Sequence, residues 1–136
     1  MAAAEHNAPT ASEVLFKVRV VPPAGPSPGP LRHYTFDFNV DPHSISMENA
    51  PDGSSHAQVE FLAIAYDKDG KRLNHSDVGF AFIVRPAQYS AAMRSGISRQ
   101  IALDVPPGHL FFRVAVHDLL SNRFGSTEFP LEVKAP

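Results

Sequence analysis

The chain contains neither cysteine nor tryptophan among its 136 residues. Without thiols there is no disulfide framework, no thiolate metal site and no cysteine nucleophile. With no Trp and only three Tyr, the rows of aromatic faces on which sugar-binding modules stack are scarce. Basic charge is also missing, because twelve Lys and Arg against fourteen Asp and Glu leave a formal charge of −2. Nothing in that balance would neutralise a phosphate backbone or hold an anionic membrane. Apolar runs are short, and none approaches the roughly 18 residues that a spanning helix needs. The Ala-rich start, Met1 to Ala4, lacks the basic end and long apolar stretch of a signal peptide. Nucleic-acid binding, membrane insertion and an export signal within this chain are therefore not expected.

What the chain does have is 43% hydrophobic residues, ten of them Phe, enough for the core of one domain. Thirteen Pro and eight Gly fall between short apolar runs, which suits many turns and few long helices. Residues 1–12 are small and polar without periodicity and are expected to be a disordered tail or an expression remnant, leaving 13–136 as a single domain. Glu13 to Val21 alternates, with Val14, Phe16, Val18 and Val20 on one side, the pattern of a half-buried strand. The stretch 22–30 holds too many prolines to join a ladder and is expected to be an exposed connection. Tyr34, Phe36, Phe38 and Val40 alternate with Thr35, Asp37, Asn39 and Asp41, one face in a core and one in water.

Val59 to Tyr66 is apolar on both faces, so it is expected as a central strand covered on both sides. Val78–Val84, Ile97–Val105, Leu110–Val116 and Phe129–Val133 read as further strands, with a short edge piece around Ile45 and Met47. Pro86 suits a first helical turn and Gly96 a stop, which predicts one short helix over Pro86 to Arg94. About seven strands with one short crossover helix and unequal connections predict an all-β, immunoglobulin-like or fibronectin III-like sandwich in preference to a barrel.

Candidate chemistry is sparse. The seven His form no close ligand pair. His75 with Asp77, and His117 with Asp118, are the nearest acid–base neighbours, and each pair is expected to be split between opposite strand faces. There is no Gly-x-Ser-x-Gly elbow. Asp67 and Asp69 open like a calcium loop, but the closing ligands are missing and a hairpin turn is the expected reading. No enzyme, cofactor or metal is therefore expected. The outer aromatic and aliphatic positions Phe111, Tyr66 and Leu62 are the candidate partner-binding residues, with partial cover expected from the helix beginning at Pro86.

A resemblance covers roughly Leu31 to Val133. Ala65-Tyr66-Asp67-Lys68-Asp69-Gly70-Lys71-Arg72-Leu73-Asn74, Arg85-Pro86-Ala87-Gln88-Tyr89 with Ser95-Gly96-Ile97, Leu103-Asp104-Val105-Pro106-Pro107-Gly108, and Arg113 through Ser126 stand in an order and spacing similar to the C-terminal region of bacterial, acidobacterial-type von Willebrand factor A (VWFA)-related proteins. The resemblance implies a non-catalytic β-sandwich trailing an A domain in an exported, extracytoplasmic polypeptide. The A domain's Asp-x-Ser-x-Ser metal loop is absent, since Asp52-Gly53-Ser54-Ser55 has the wrong spacing. Leu110 stands where many relatives have the corner tyrosine. A neighbouring domain or protein partner, bound by a monomeric module, is the expected role. The alternative is a small-ligand, carbohydrate-type module using exposed aromatics.

Overall fold

The computed structural model of the chain describes residues 11–25 and 29–135. Eight strands, two short 3-10 turns and one helix follow in order: β1 (Phe16–Val21), β2 (Arg32–Val40), β3 (Glu48–Asn49), β4 (Ser55–Tyr66), β5 (Arg72–Val84), α1 (Tyr89–Ser95), β6 (Ile97–Val105), β7 (Gly108–Asp118) and β8 (Arg123–Val133). The three-stranded sheet runs β1-β2-β6. The five-stranded sheet places β4 and β7 in the middle, β5 and β8 outside them, and β3 beside the start of β4. All the pairings are antiparallel, and the architecture is the expected all-β sandwich.

The two-residue period places the core between the sheets. Tyr34, Phe36, Phe38 and Val40 on β2 meet Val59, Phe61, Ala63 and Ala65 on β4 and Leu110, Phe112, Val114 and Val116 on β7. Aromatic edges bridge the layers, with Phe38 at 5.1 Å from Phe61 and Phe36 at 5.4 Å from Phe112 between ring centroids. Such tilted ring pairs add to what burial alone contributes. Leu110 is a buried member of this core, so hydrocarbon packing stands where a corner hydroxyl would otherwise sit.

Three local expectations need correction. Glu13 to Val21 is not one strand: Glu13 and Val14 donate to Phe124 O at 3.0 and 3.1 Å on the larger sheet, and only from Phe16 does the chain join β2. The buried Val14 thus belongs to a crossing between the sheets. The strand expected to begin at Val78 starts at Arg72, because its polar first half is an edge that needs no apolar alternation to pair with β4. The edge piece expected around Ile45 and Met47 pairs one step later, at Glu48 and Asn49. The expected helix is a 3-10 turn, Pro86–Gln88, leading into α1, and Gly96 ends it at φ 84°. The expected tail lies outside the described residues up to position 10, but Ala11 and Ser12 are part of the fold. Of the proline-rich connection, residues 26–28 lie outside the described residues.

Candidate interaction face of the larger sheet

Pairing registers lay out the outer face of the five-stranded sheet row by row. Tyr66 lies between Arg72 and Phe111, with Pro130 beyond. The next row is His75, Ile64, Arg113 and Glu128, and the one after it Asp77, Leu62, Ala115 and Ser126. The middle two strands therefore carry a second apolar cluster, Leu62, Ile64, Tyr66 and Ala115, against which Phe111 packs. The candidate residues Leu62, Tyr66 and Phe111 are brought together as the sequence pattern implied. The cluster is not open to solvent: Leu62 and Tyr66 are 8% exposed, Ile64 5% and Ala115 1%, while Phe111 is half-buried. Neither aromatic stands free to stack on a sugar.

The expected cover by the helix is not what the structure shows. No residue of α1 is buried, and its most extensive contacts are with the two 3-10 turns, Pro42–Ser44 and Pro86–Gln88. A seven-residue helix leaving β5 beyond Val84 is held at the end of the sandwich, because Asn39 Nδ2 donates to Ser95 O at 3.0 Å.

Sequence reasoning missed Arg113. Strand alternation places it on the outer face between Phe111 and Ala115, where it is 1% exposed. Its guanidinium donates to Ser126 Oγ at 3.2 Å and lies 3.7 Å from Glu128 Oε1. A buried charge persists only when paired and hydrogen-bonded. A signal was available, since Arg113 alternates with Phe111 and Ala115 in a strand flanked by apolar residues. Beside it the chain's entry is fastened: Ala11 N donates to Ser126 Oγ at 3.0 Å, Ser126 N donates to Ala11 O at 2.8 Å, and Ser12 bridges Gly125. Gly125 permits this approach, because a Cβ there would run into the carbonyl oxygen of Val14.

The far end of the face is polar. His117 Nδ1 lies 3.3 Å from Glu60 Oε1, and its Nε2 lies 2.7 Å from Asn122 Oδ1. Its ring stacks on Phe124 at 4.0 Å. Asn122 takes a positive φ of 59° in the β7–β8 turn, which asparagine tolerates better than most residues. Asp77 stands diagonally across from Glu60; burial, then the neighbouring Glu60, raise its carboxyl above the ordinary value of 3.8. His117 and Asp118 do face opposite ways. His75 and Asp77, two residues apart on β5, share the outer face, contrary to expectation, because a two-residue step restores the same side.

Asp118, 0% exposed, is a structural pin. It accepts from Ser46 N at 2.7 Å, Ser121 Oγ at 2.6 Å and Leu120 N at 3.1 Å. Asp67 is likewise engaged by its own turn, accepting from Asp69 N and Lys71 N, each at 2.9 Å. Gly70 N also donates to Asp67 O at 3.0 Å, so Asp67 and Asp69 lie within the β4–β5 turn; among the described residues, no group of three or more His, Asp or Glu is placed to hold a metal. A shallow depression of about 650 Å³ on the outer face of the smaller sheet is lined by Lys17, Arg19, Asp37, Asn39, Ser98 and Gln100, among others, with Arg19 and Asp37 paired at 2.6 Å.

No family model and no curated protein match the chain. Among solved structures, it is similar to part of a Bacteroides uniformis β-glucuronidase, with a TM-score of 0.51 and 9% identity over 85% of this chain and 13% of that one. A calcium-binding mutant of Bacteroides uniformis β-glucuronidase 2 gives 0.50 and 9% over the same shares. A β-glucuronidase from glycoside hydrolase family 2 gives 0.46 and 13%, over 85% and 11%. The first two likenesses are likenesses of fold, consistent with an all-β sandwich. The chain spans 13% of the length of those glucuronidases, which is the extent of one domain in a much larger enzyme. Among the described residues, no helix is long and apolar enough to cross a membrane.

Proposed function

We propose that the chain is a non-catalytic interaction module that holds neighbouring polypeptide against the outer face of its larger sheet, and that it serves as the C-terminal sandwich of an exported VWFA-related protein. One observation carries the reading. A two-layer sandwich needs one apolar face per sheet, yet this sheet has two, and the second is built around Leu62, Ile64 and Tyr66. A second apolar face on one sheet calls for a cover, and the half-buried Phe111 at its edge is where neighbouring polypeptide joins it. The resemblance to VWFA-related proteins is supported by where its blocks fall. Asp67–Gly70 forms the β4–β5 turn, Pro106–Gly108 leads from β6 into β7, and Asp118–Arg123 joins β7 to β8. Such turns recur when a framework is shared. An extracytoplasmic location follows from that parentage, and an A domain with a signal sequence upstream in the gene would establish it.

The docking role is tested with Phe111→Ser, made in this chain and in a longer chain that includes the preceding domain. The expected result is loss of interdomain contact, with the melting temperature of the shorter chain little changed. Equal destabilisation of both would show Phe111 to be ordinary core and remove the docking role.

A further inference from the structure

The two outer edges of the larger sheet are finished differently. At β8 the edge is taken up by the chain's own entry: Glu13 N and Val14 N donate to Phe124 O, Ser126 N donates to Ala11 O, and Ser12 bridges Gly125. At the opposite edge, β5 pairs with β4 alone among the described residues. The direction of its remaining backbone groups follows from the register. Gln58 O accepts from Leu119 N on the β7 side. In an antiparallel ladder the odd-numbered residues of β4 therefore turn their amides and carbonyls to β5, where they meet Phe80, Val78, Ser76 and Asn74. The residues between, His75, Asp77, Gly79 and Ala81, turn theirs outward, and all four are exposed. His75 N donates to Asn74 Oδ1 at 2.9 Å, as an edge amide does with no strand beside it. Arg99 seals the inner side of β5, lying 4.9 and 4.7 Å from the ring centroids of Phe80 and Phe82, so the core is closed while the edge stays open. Natural sheets guard such edges with Lys, Pro or a bulge. From His75 to Val84 there is neither Lys nor Pro, and the irregularity in the pairing lies further on, at Ala65 and Tyr66.

We infer that the occupant of this edge is β5 of a second copy of the chain, paired antiparallel about a two-fold axis at Ser76 so that the two larger sheets become one. Side-chain charge selects both the partner and the register. Symmetry about Ser76 sets His75 opposite the partner's Asp77 and Asp77 opposite the partner's His75. Imidazole then faces carboxylate twice, in pairs that each exchange two backbone hydrogen bonds. An axis one residue along, at Asp77, would set carboxylate against carboxylate, which is unfavourable directly across strands. The contact uses the backbone of one edge and leaves Leu62, Tyr66 and Phe111 to the docking role, on which it does not depend. The chain is then a dimer, where its sequence suggests a monomer.

Sedimentation of the full chain over a concentration series is expected to show the mass rising towards twice that of one chain. Gly79→Pro removes an outward amide and costs no bond to β4. An added Cβ at Gly79 meets nothing within 4 Å, so this variant is expected to stay folded and monomeric throughout. His75→Asp keeps the backbone donors intact and opposes like charges across the axis. It is expected to weaken dimerisation about tenfold, and combining it with Asp77→His is expected to restore it. Phe111→Ser is expected to dimerise like the unaltered chain. A monomer at every concentration, dimerisation of Gly79→Pro or His75→Asp as strong as that of the unaltered chain, or its loss with Phe111→Ser would overturn the edge pairing.

Discussion

The outer faces of the two sheets obey different rules. On the smaller sheet, Lys17, Arg19, Asp37, Asn39, Ser98 and Gln100 point outward, and the residues that alternate inward pack on the core, Arg99 apart, whose guanidinium lies over Phe80 and Phe82, as expected for a sheet with one face in water. On the larger sheet, the outward positions of β4 and β7 are Leu62, Ile64, Tyr66, Phe111 and Ala115, together with a buried guanidinium. Both sheets share one inner core, so the difference lies entirely in what each outer face meets. The smaller sheet meets solvent. The outer face of the larger one is apolar and buried over Leu62, Ile64, Tyr66 and Ala115.

The largest expected effect belongs to the shared core and sets the scale. Phe61 touches Phe38, Phe80 and Phe82, so Phe61→Ala should cost about 3–5 kcal/mol in a denaturant titration. The two outer faces should then separate. Leu62→Ala should cost about 2–3 kcal/mol, because it empties a packed site, whereas Gln100→Ala on the smaller sheet should stay within about 0.5 kcal/mol. Equal losses at Leu62 and Gln100 would erase the contrast. Gly125→Ala tests the seam where the chain enters. Its new methyl must push Val14 away, at about 1–3 kcal/mol, and amide exchange at Glu13, Val14 and Ser126 should quicken.

The smallest effect concerns the polar end of the outer face. Because the folded chain holds the Asp77 proton to a higher pH than the ordinary 3.8, the native state binds more protons than the unfolded chain between that value and the raised one. Stability therefore falls as pH rises through this window. Asp77→Asn should flatten that fall and leave the chain slightly more stable at neutral pH, read as melting temperature against pH. A steeper fall in the variant would show that Asp77 is favoured, not disfavoured, in its charged form.

Much of the inner architecture is legible in the residues themselves. Tyr34, Phe36, Phe38 and Val40 alternate without interruption, and all four are buried on the core side of β2. The two-sided apolarity of Val59 to Tyr66 correctly marks β4 as an interior strand with both faces covered. The nature of its outer cover is not legible there, because Pro86 and Gly96 delimit a helix without saying where it docks. The crossing at Val14 is also hidden: alternation continues smoothly from Glu13 to Val21, while the switch of sheets depends on Gly125, more than a hundred residues away. Arg113 was passed over for a related reason. Burial of a cation depends on what lies over it, and the period of a strand reports only the side to which it points.

The claim that the outer face of the larger sheet meets neighbouring polypeptide is an energetic claim about one contact, and Phe111→Ser, made in this chain and in a longer chain that includes the preceding domain, tests it most directly. The account predicts that the longer chain loses its interdomain contact while the melting temperature of the shorter one changes little. Gln100→Ala on the smaller sheet should change neither. Equal destabilisation of both chains by Phe111→Ser would contradict the account.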